Sequence, residues 1–408
     1  MSKFLNLALG ILAAIGGFVD IGDLVFNTAA GATFGYQLMW VLPISVTGII
    51  VYSEMCGRVA AVSGKAVFDT VRERTGFSAG LAALLASEVV NLMTLAAEIG
   101  GVAIALQLLS GLPYRVLLAL AVVVLAIVIW SVQLDWIERI FGYGGLCLLV
   151  FAVAAVKSGP DWAKVGSGFI PHLAQNNPWL YLYFVIGLLG AAMTPYEVYF
   201  YSSGGIEDGW TPKDIGLNRM NSIVGYGLGG FLSLALMIVG GAVFLGHGIN
   251  PEHLGTIALG AQQPLGKIGL LLALVGILFA VGGASIDTVF SGAYNLAQFF
   301  GWEWGRYRHP AGAPRFTLTW LALFAGAFLI VVTGVDPIML TEYSVIFSAV
   351  ALPLTYIPIL LVANDREYMG THRNGRLANS LGVFYLGVIM VIAVAAIPLM
   401  IITNAGQN

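Results

Sequence analysis

Two stretches decide how this chain is read: GGFVDIGDLVFNTAAGATFGY (16–36) and GLLGAAMTPYEVYFYSSGG (187–205). Each is an apolar run interrupted by Gly or Pro beside carboxylates. Gly22 lies between Asp20 and Asp23 in the first, and Pro195 precedes Glu197 in the second. The two stretches are spans 1 and 6 of the chain, at matched positions of two five-span halves. Matched interruptions point to inverted repeats with a binding site near the membrane midplane. Broken backbone also exposes carbonyls, which are ready cation ligands. Plain helix kinks are the bland alternative, but kinks do not require acids.

The rest of the chain fits this reading. Of 408 residues, 59% are hydrophobic and 10% charged. A soluble domain carries roughly a quarter charged residues, so a soluble enzyme and a disordered scaffold are both excluded. The apolar runs are continuous, unlike the alternating segments of a β-barrel. Eleven spans are predicted, at about 8–34, 37–57, 78–110, 114–134, 139–157, 178–205, 218–247, 264–299, 315–335, 337–363 and 376–403. They form one transmembrane domain: a first repeat over 8–157, a second over 178–363, and an additional helix over 376–403. The first run is too long for a cleaved signal segment. With the N-terminus inside, 14 of the 18 Lys and Arg residues fall on the cytoplasmic side. That asymmetry predicts a cytoplasmic N-terminus and an extracellular C-terminus.

The acids carry the chemistry. Asp20, Asp23, Glu88, Glu98, Glu197, Asp287 and Glu342 fall inside spans, and Glu54 lies near the end of span 2. No Lys or Arg lies deep in a span. A charged side chain there is expensive unless it is paired, hydrated or holding an ion. The pattern therefore predicts a cation path and argues against an anionic substrate. Asp20, Asp23 and Glu197 are the sharpest metal-ligand candidates, with Gly22 the expected point of helix break. Thr194 and the Ala191 carbonyl complete the set. Asn27, Tyr196, Glu98, Asp287 and Glu342 are candidates for outer support or the ion path, and Glu88 for structural hydrogen bonding. All are hard oxygen donors, which suit Mg²⁺, Ca²⁺ and Mn²⁺. Helical phase turns Met193 away from the break. His172, His247, His253, His309 and His372 all lie in loops or at span ends, so no imidazole relay crosses the membrane. Cys56 and Cys147 support neither a disulfide nor a metal–thiolate site. No basic cluster resembles a nucleic-acid patch, and no obligate protein partner or cofactor is evident.

These segments resemble the Nramp family of divalent transition-metal transporters. The family's Asp-Pro-Gly-Asn is matched by Asp20-Ile21-Gly22-Asp23, followed by Ala29-Ala30-Gly31-Ala32 and Gly35-Tyr36. GRVAAVSGKAVFDTVRERTG (57–76), AAEIGGVAIAL (96–106) and NDREYMG (364–370) match further segments. The resemblance implies an all-α LeuT-type fold of two inverted five-helix repeats plus an eleventh helix, with helices 1 and 6 broken. It also implies alternating access by rocking spans 1 and 6 against spans 3, 4, 8 and 9.

The departures are informative. The family's Asn in span 1 is Asp23 here, and its Met-Pro-His-Asn in span 6 is Thr194-Pro195-Tyr196-Glu197. A span 6 His associated with proton transfer falls at Tyr201, a span 3 Asp at Leu95, and a span 10 Gln at about Ala351. Soft ligands and proton machinery are lost while charge is gained. The chain is most similar to the distant Nramp-related magnesium transporter clade. The expected function is import of Mg²⁺, with Mn²⁺ also admitted, across a prokaryotic plasma membrane without proton coupling and with the ion partly hydrated. The alternatives are a proton-coupled Mn²⁺/Fe²⁺ importer, a LeuT-type symporter of an amino acid or organic cation, and a non-transporting sensor. No nucleophile–base pair in the spans supports an enzyme.

Overall fold

The computed structural model describes residues 19–132, 134–173, 176–251 and 253–406. The part of the first predicted span before Val19, with Gly16 and Gly17, lies outside these residues. Among the described residues the chain is helical throughout, without strands.

The order is α1 (Ile21–Phe34), α2 (Val41–Ser63), α3 (Val67–Thr75), α4 (Phe77–Ser110), α5 (Tyr114–Ser131), α6 (Leu134–Gly145), α7 (Leu149–Lys157) and α8 (Trp162–Ser167). It continues with α9 (Pro178–Ala192), α10 (Pro195–Glu207), α11 (Ile215–Val239), α12 (Leu254–Phe300), α13 (Pro314–Val332), α14 (Pro337–Asn364), α15 (Arg366–Met369) and α16 (Arg376–Ile402). Ten helical stretches among the described residues are long and apolar enough to cross a membrane, and α1 forms the described part of the first span. Most of their ends follow the predicted spans within a few residues, because hydropathy is a local property, while span 2 runs on to Ser63 and span 7 begins at Pro212.

Three details differ from the sequence reading. Gly22, the expected point of helix break, lies inside a helix: Asp20 is extended and α1 begins at Ile21. The connection after span 7 is mostly helical, since α12 starts at Leu254. Gly266, with φ 68° and ψ −156°, interrupts α12 and separates its first turns from the long span. Only glycine adopts that backbone freely. Span 7 also ends differently from a plain helix: one π-helical turn, Gly240–Phe244, follows α11.

Long helix α4 packs along α12 and α14 to form the backbone of the bundle. Helix α10 lies against α2 and α12, and α1 is held by α11, the π turn, α9 and α14. The contact between α1 and span 7 is backbone to backbone. A Cβ added at Gly31 would lie 2.1 Å from the Met237 carbonyl oxygen, and one at Gly240 would lie 2.3 Å from that of Thr28. Side chains such as Leu377, Val391 and Val394 stay more than two-thirds exposed on the outer faces, as lipid-facing positions do.

Several basic residues are used in packing. Arg58 and Arg219 both pair with Glu54, at 3.1 and 3.2 Å, while Arg58 also donates to the His372 carbonyl at 2.6 Å. Arg74 pairs with Asp365 at 2.8 Å, and Arg306 with Glu207 at 2.8 Å. On α3, the Lys65 ammonium holds the Glu73 carboxyl below its usual range. Burial pushes its neighbour Asp69 up to about 6, against the pull of Arg72.

Candidate metal site at the two helix breaks

The two breaks have the same local design. Asp20 is the N-cap of α1 and Asp23 its third residue; Thr194 is the N-cap of α10 and Glu197 its third residue. Each helix therefore starts with an oxygen-bearing side chain and places a carboxylate in its first turn. The first turn presents orphan N–H groups and the positive end of the helix dipole. Carboxylates are favoured there, and they offset the repulsion the dipole would exert on a cation. Pro195 supplies the break in span 6. It occupies the N1 position of α10 and has no N–H to give the carbonyl four residues earlier. That carbonyl belongs to Ala191.

The carboxylates differ in what they already hold. Asp20 is fully engaged: Oδ1 accepts from the Asp23 N–H at 3.0 Å, and Oδ2 accepts from the Tyr196 hydroxyl at 3.0 Å. Tyr196 thereby ties the start of α1 to the start of α10. Asp23 is half engaged: Oδ1 accepts from Asn27 at 3.0 Å and from Ser233 at 3.3 Å, and Oδ2 has no partner. Neither oxygen of Glu197 has a hydrogen-bond partner, and neither does the Thr194 hydroxyl. Thr194 sits beside Glu197 but outside hydrogen-bond geometry.

All of these groups are buried: Asp20, Asp23, Thr194 and Glu197 are 2%, 1%, 3% and 6% exposed. Asp20, Asp23 and Asp287 are the charged neighbours of Glu197, and Asp20 and Asp287 those of Glu98. The arrangement is thus a buried set of oxygen acceptors that is short of donors. Each unsatisfied buried acceptor costs about 1–3 kcal/mol, and more when charged. A cation bound among them would relieve that cost.

The three acids do not form a closed cage. Among the described residues no group of three or more His, Cys, Asp or Glu side chains converges tightly enough to enclose a metal by itself. Asp20 is turned to Tyr196 and to the α1 amide. Ala191 does reach the first break: a Cβ at Gly22 would lie 3.6 Å from the Ala191 Cβ and 3.0 Å from Val345 Cγ2. The Met193 thioether points elsewhere, against Gly48 of α2.

The outer candidates fall into place unevenly. Asn27 is fully buried and donates to both the side chain and the carbonyl of Asp23. Glu98 is fully buried; one oxygen accepts from Thr288 at 3.3 Å and the other is unsatisfied. Asp287 and Glu342 are only half-buried, and Glu342 lies near Tyr183. Glu88 stands apart, accepting from Asn295 at 3.4 Å.

Several contributors went unrecognised in the sequence. Ser233 bonds Asp23, and Thr288 bonds Glu98. Ser348, Tyr356 and Ser291 donate to the carbonyls of Gly190, Met193 and Tyr196, at 3.5, 3.1 and 3.0 Å. They stabilise the unwound backbone of span 6. Small hydroxyl residues in apolar spans are the signal that could have found them.

Comparison with known proteins agrees with this picture. A family model described as Nramp, natural resistance-associated macrophage protein-like, matches residues 10–398. The divalent metal cation transporter MntH of Deinococcus radiodurans is 27% identical over 375 residues, covering 88% of this chain and 82% of its own. That of Aeromonas hydrophila is 26% identical over 403 residues, covering 95% and 94%. Among solved structures, the Eremococcus coleocola manganese transporter in complex with an aromatic bis-isothiourea substituted compound superposes with a TM-score of 0.79. It is 20% identical, over 98% of this chain and 88% of that one. The nucleobase-cation-symport-1 transporter MHP1 superposes with a TM-score of 0.63 at 17% identity, over 96% and 91%. The fold is LeuT-type, with inverted repeats and with helix 6 broken between Ala192 and Pro195. With a family match over nearly its whole length, the chain belongs to the Nramp family.

Proposed function

We propose that this protein is an importer of divalent metal ions whose cargo is Mg²⁺, with Mn²⁺ also admitted, and that no proton travels with the ion. The names of its relatives support the cargo class. The observation that carries the finer reading is the donor set: buried oxygens of Asp23, Glu197 and Thr194 without partners, and a thioether turned away toward Gly48. Hard oxygen ligands suit Mg²⁺ and Mn²⁺, whereas soft sulfur favours later transition metals. Mg²⁺ gives up water reluctantly, and a short Thr in place of a Met leaves room for part of that water.

In this reading Asp23, Glu197, Thr194 and the Ala191 carbonyl meet the ion or its water, and Asp20 joins them by releasing Tyr196. Asn27, Tyr196 and Glu98 support the site, while Asp287 and Glu342 line the path. The repeats at 8–157 and 178–363 move against one another, with the helix at 376–403 outside them. The protein lies in a prokaryotic plasma membrane, N-terminus in and C-terminus out. A negative-inside potential then drives a divalent ion inward by about 4.6 kcal/mol per 100 mV, twice the single-charge value. Such a force suffices without proton symport. Leu95 and Ala351 cannot carry protons, and Tyr201 is engaged with Asn218 and Ser222.

One observation favours a proton-coupled Mn²⁺/Fe²⁺ importer as the second reading. Glu98 keeps an unsatisfied buried oxygen near Asp20, where a carboxyl group could hold a proton. Proteoliposomes carrying a pH-sensitive dye separate the two. Saturable Mg²⁺ entry, competed by Mn²⁺ and lost in Asp20→Ala and Glu197→Ala, should leave the dye flat. Acidification that tracks ion entry would replace the first reading with the second.

A further inference from the structure

The outer wall formed by α4, α12 and α13 is not flush. A groove of about 480 Å³ opens between them, with Leu92, Leu296, Leu318 and Leu323 along it and Trp302 and Arg315 among its lining. Leu318 is 65% exposed, so the groove faces the hydrocarbon side of the bundle. Its volume suits an acyl chain.

The charge in this groove is the unusual feature. Neighbouring bases in the same segment are matched: Arg306 pairs with Glu207, and Arg308 with Glu303. Arg315 pairs with no acid among the described residues and lies 5.7 Å from the Trp302 ring centroid. Trp302 itself stacks on Phe300, with centroids 5.1 Å apart and planes 17° from parallel. Helix stability does not explain Arg315. It sits in the first turn of α13, where the helix dipole disfavours a cation. An exposed guanidinium on an aromatic platform, next to an apolar groove, matches the two halves of an anionic lipid. Tryptophan belongs at headgroup level, and Arg binds phosphate through paired N–H donors.

We propose that the groove between α4, α12 and α13 binds an anionic phospholipid, with its phosphate at Arg315 and an acyl chain along Leu92, Leu296 and Leu323. The proposal does not depend on which ion the protein carries.

The test is native mass spectrometry of the full chain taken from vesicles of equal phosphatidylglycerol and phosphatidylcholine, scoring retained lipid. Wild type should retain phosphatidylglycerol preferentially. Arg315→Gln should lower that preference about fivefold, the equivalent of ~1 kcal/mol for one basic side chain near the membrane surface. Ala322→Trp, which fills the groove, should lower retention of both lipids. Added inorganic phosphate should not displace the lipid. Arg315 and Ala322 are both exposed, and unchanged circular dichroism and monodispersity confirm folding. Equal retention of the two lipids by wild type, an unchanged preference in Arg315→Gln, or displacement by phosphate would each overturn the proposal.

Discussion

Replacing Glu197 by Gln should make the metal-free protein more stable and the metal-bound protein no more stable than that. Glu197 is 6% exposed, receives no hydrogen bond at either oxygen, and has Asp20, Asp23 and Asp287 as its charged neighbours. Removing its charge breaks no hydrogen bond and loses only its interaction with the α10 dipole, worth about 0.3–1 kcal/mol. Relief of one unsatisfied buried acceptor is worth about 1–3 kcal/mol, and the new amide brings donors to a pocket of acceptors. Asp20→Ala should do the reverse. It removes the α1 cap, worth ~1 kcal/mol, and the Tyr196 bond, worth a further ~1–2 kcal/mol. In wild type, Mg²⁺ at a hundred times its Kd should stabilise the fold by ~2.7 kcal/mol, and Glu197→Gln should erase that gain. The assay is unfolding of the detergent-solubilised protein across a Mg²⁺ series. A Glu197→Gln protein that is weaker than wild type without metal, yet still stabilised by Mg²⁺, would refute the reasoning. Glu197 would then be a structural acid.

Three further outcomes are expected. Thr194→Met should lower the Mg²⁺-to-Cd²⁺ affinity ratio about tenfold, the equivalent of ~1.4 kcal/mol, because a thioether binds the soft ion and fills space the hard ion's water needs; calorimetry on both proteins reads it directly. Gly31→Ala should cost about 1–3 kcal/mol of overpacking, since its Cβ would meet the Met237 carbonyl oxygen at 2.1 Å; thermal unfolding and flux should both fall, and an unchanged melting curve would show that α1 can move away from span 7. Asp69, held at about 6 by burial against an ordinary 3.8, binds more protons folded than unfolded between those values. Its effect on stability is therefore unfavourable above pH 6 and fades as pH falls toward 4. Asp69→Asn should stabilise α3 at pH 7.5 and change nothing near pH 4, as measured by hydrogen exchange across α3.

Some of this molecule follows from the chain read alone. The spans are legible because a bilayer selects runs of apolar residues, and that selection acts on sequence neighbours. The break in span 6 is legible for a similarly local reason, since Pro195 denies an N–H to a carbonyl four residues away; in span 1 the glycine signal points to Gly22, whereas α1 starts at Ile21 behind the Asp20 cap. Met193 does turn toward Gly48, but it lies in the break itself, with φ −126° and ψ 43°, so packing rather than helical phase sets its direction. Partnership is a different matter. Asp20 is satisfied by Tyr196, 176 positions away, and Asp23 by Ser233, 210 positions away. No local pattern specifies such pairs, because they arise only when α1 settles against α10 and α11. The same packing leaves Glu197 and one oxygen of Asp23 without donors. A carboxylate's type and burial can be read from sequence, but its hydrogen-bond balance is a property of everything around it. That balance, decided by the tertiary structure, separates the acids with an oxygen left for an ion from those already committed to the fold.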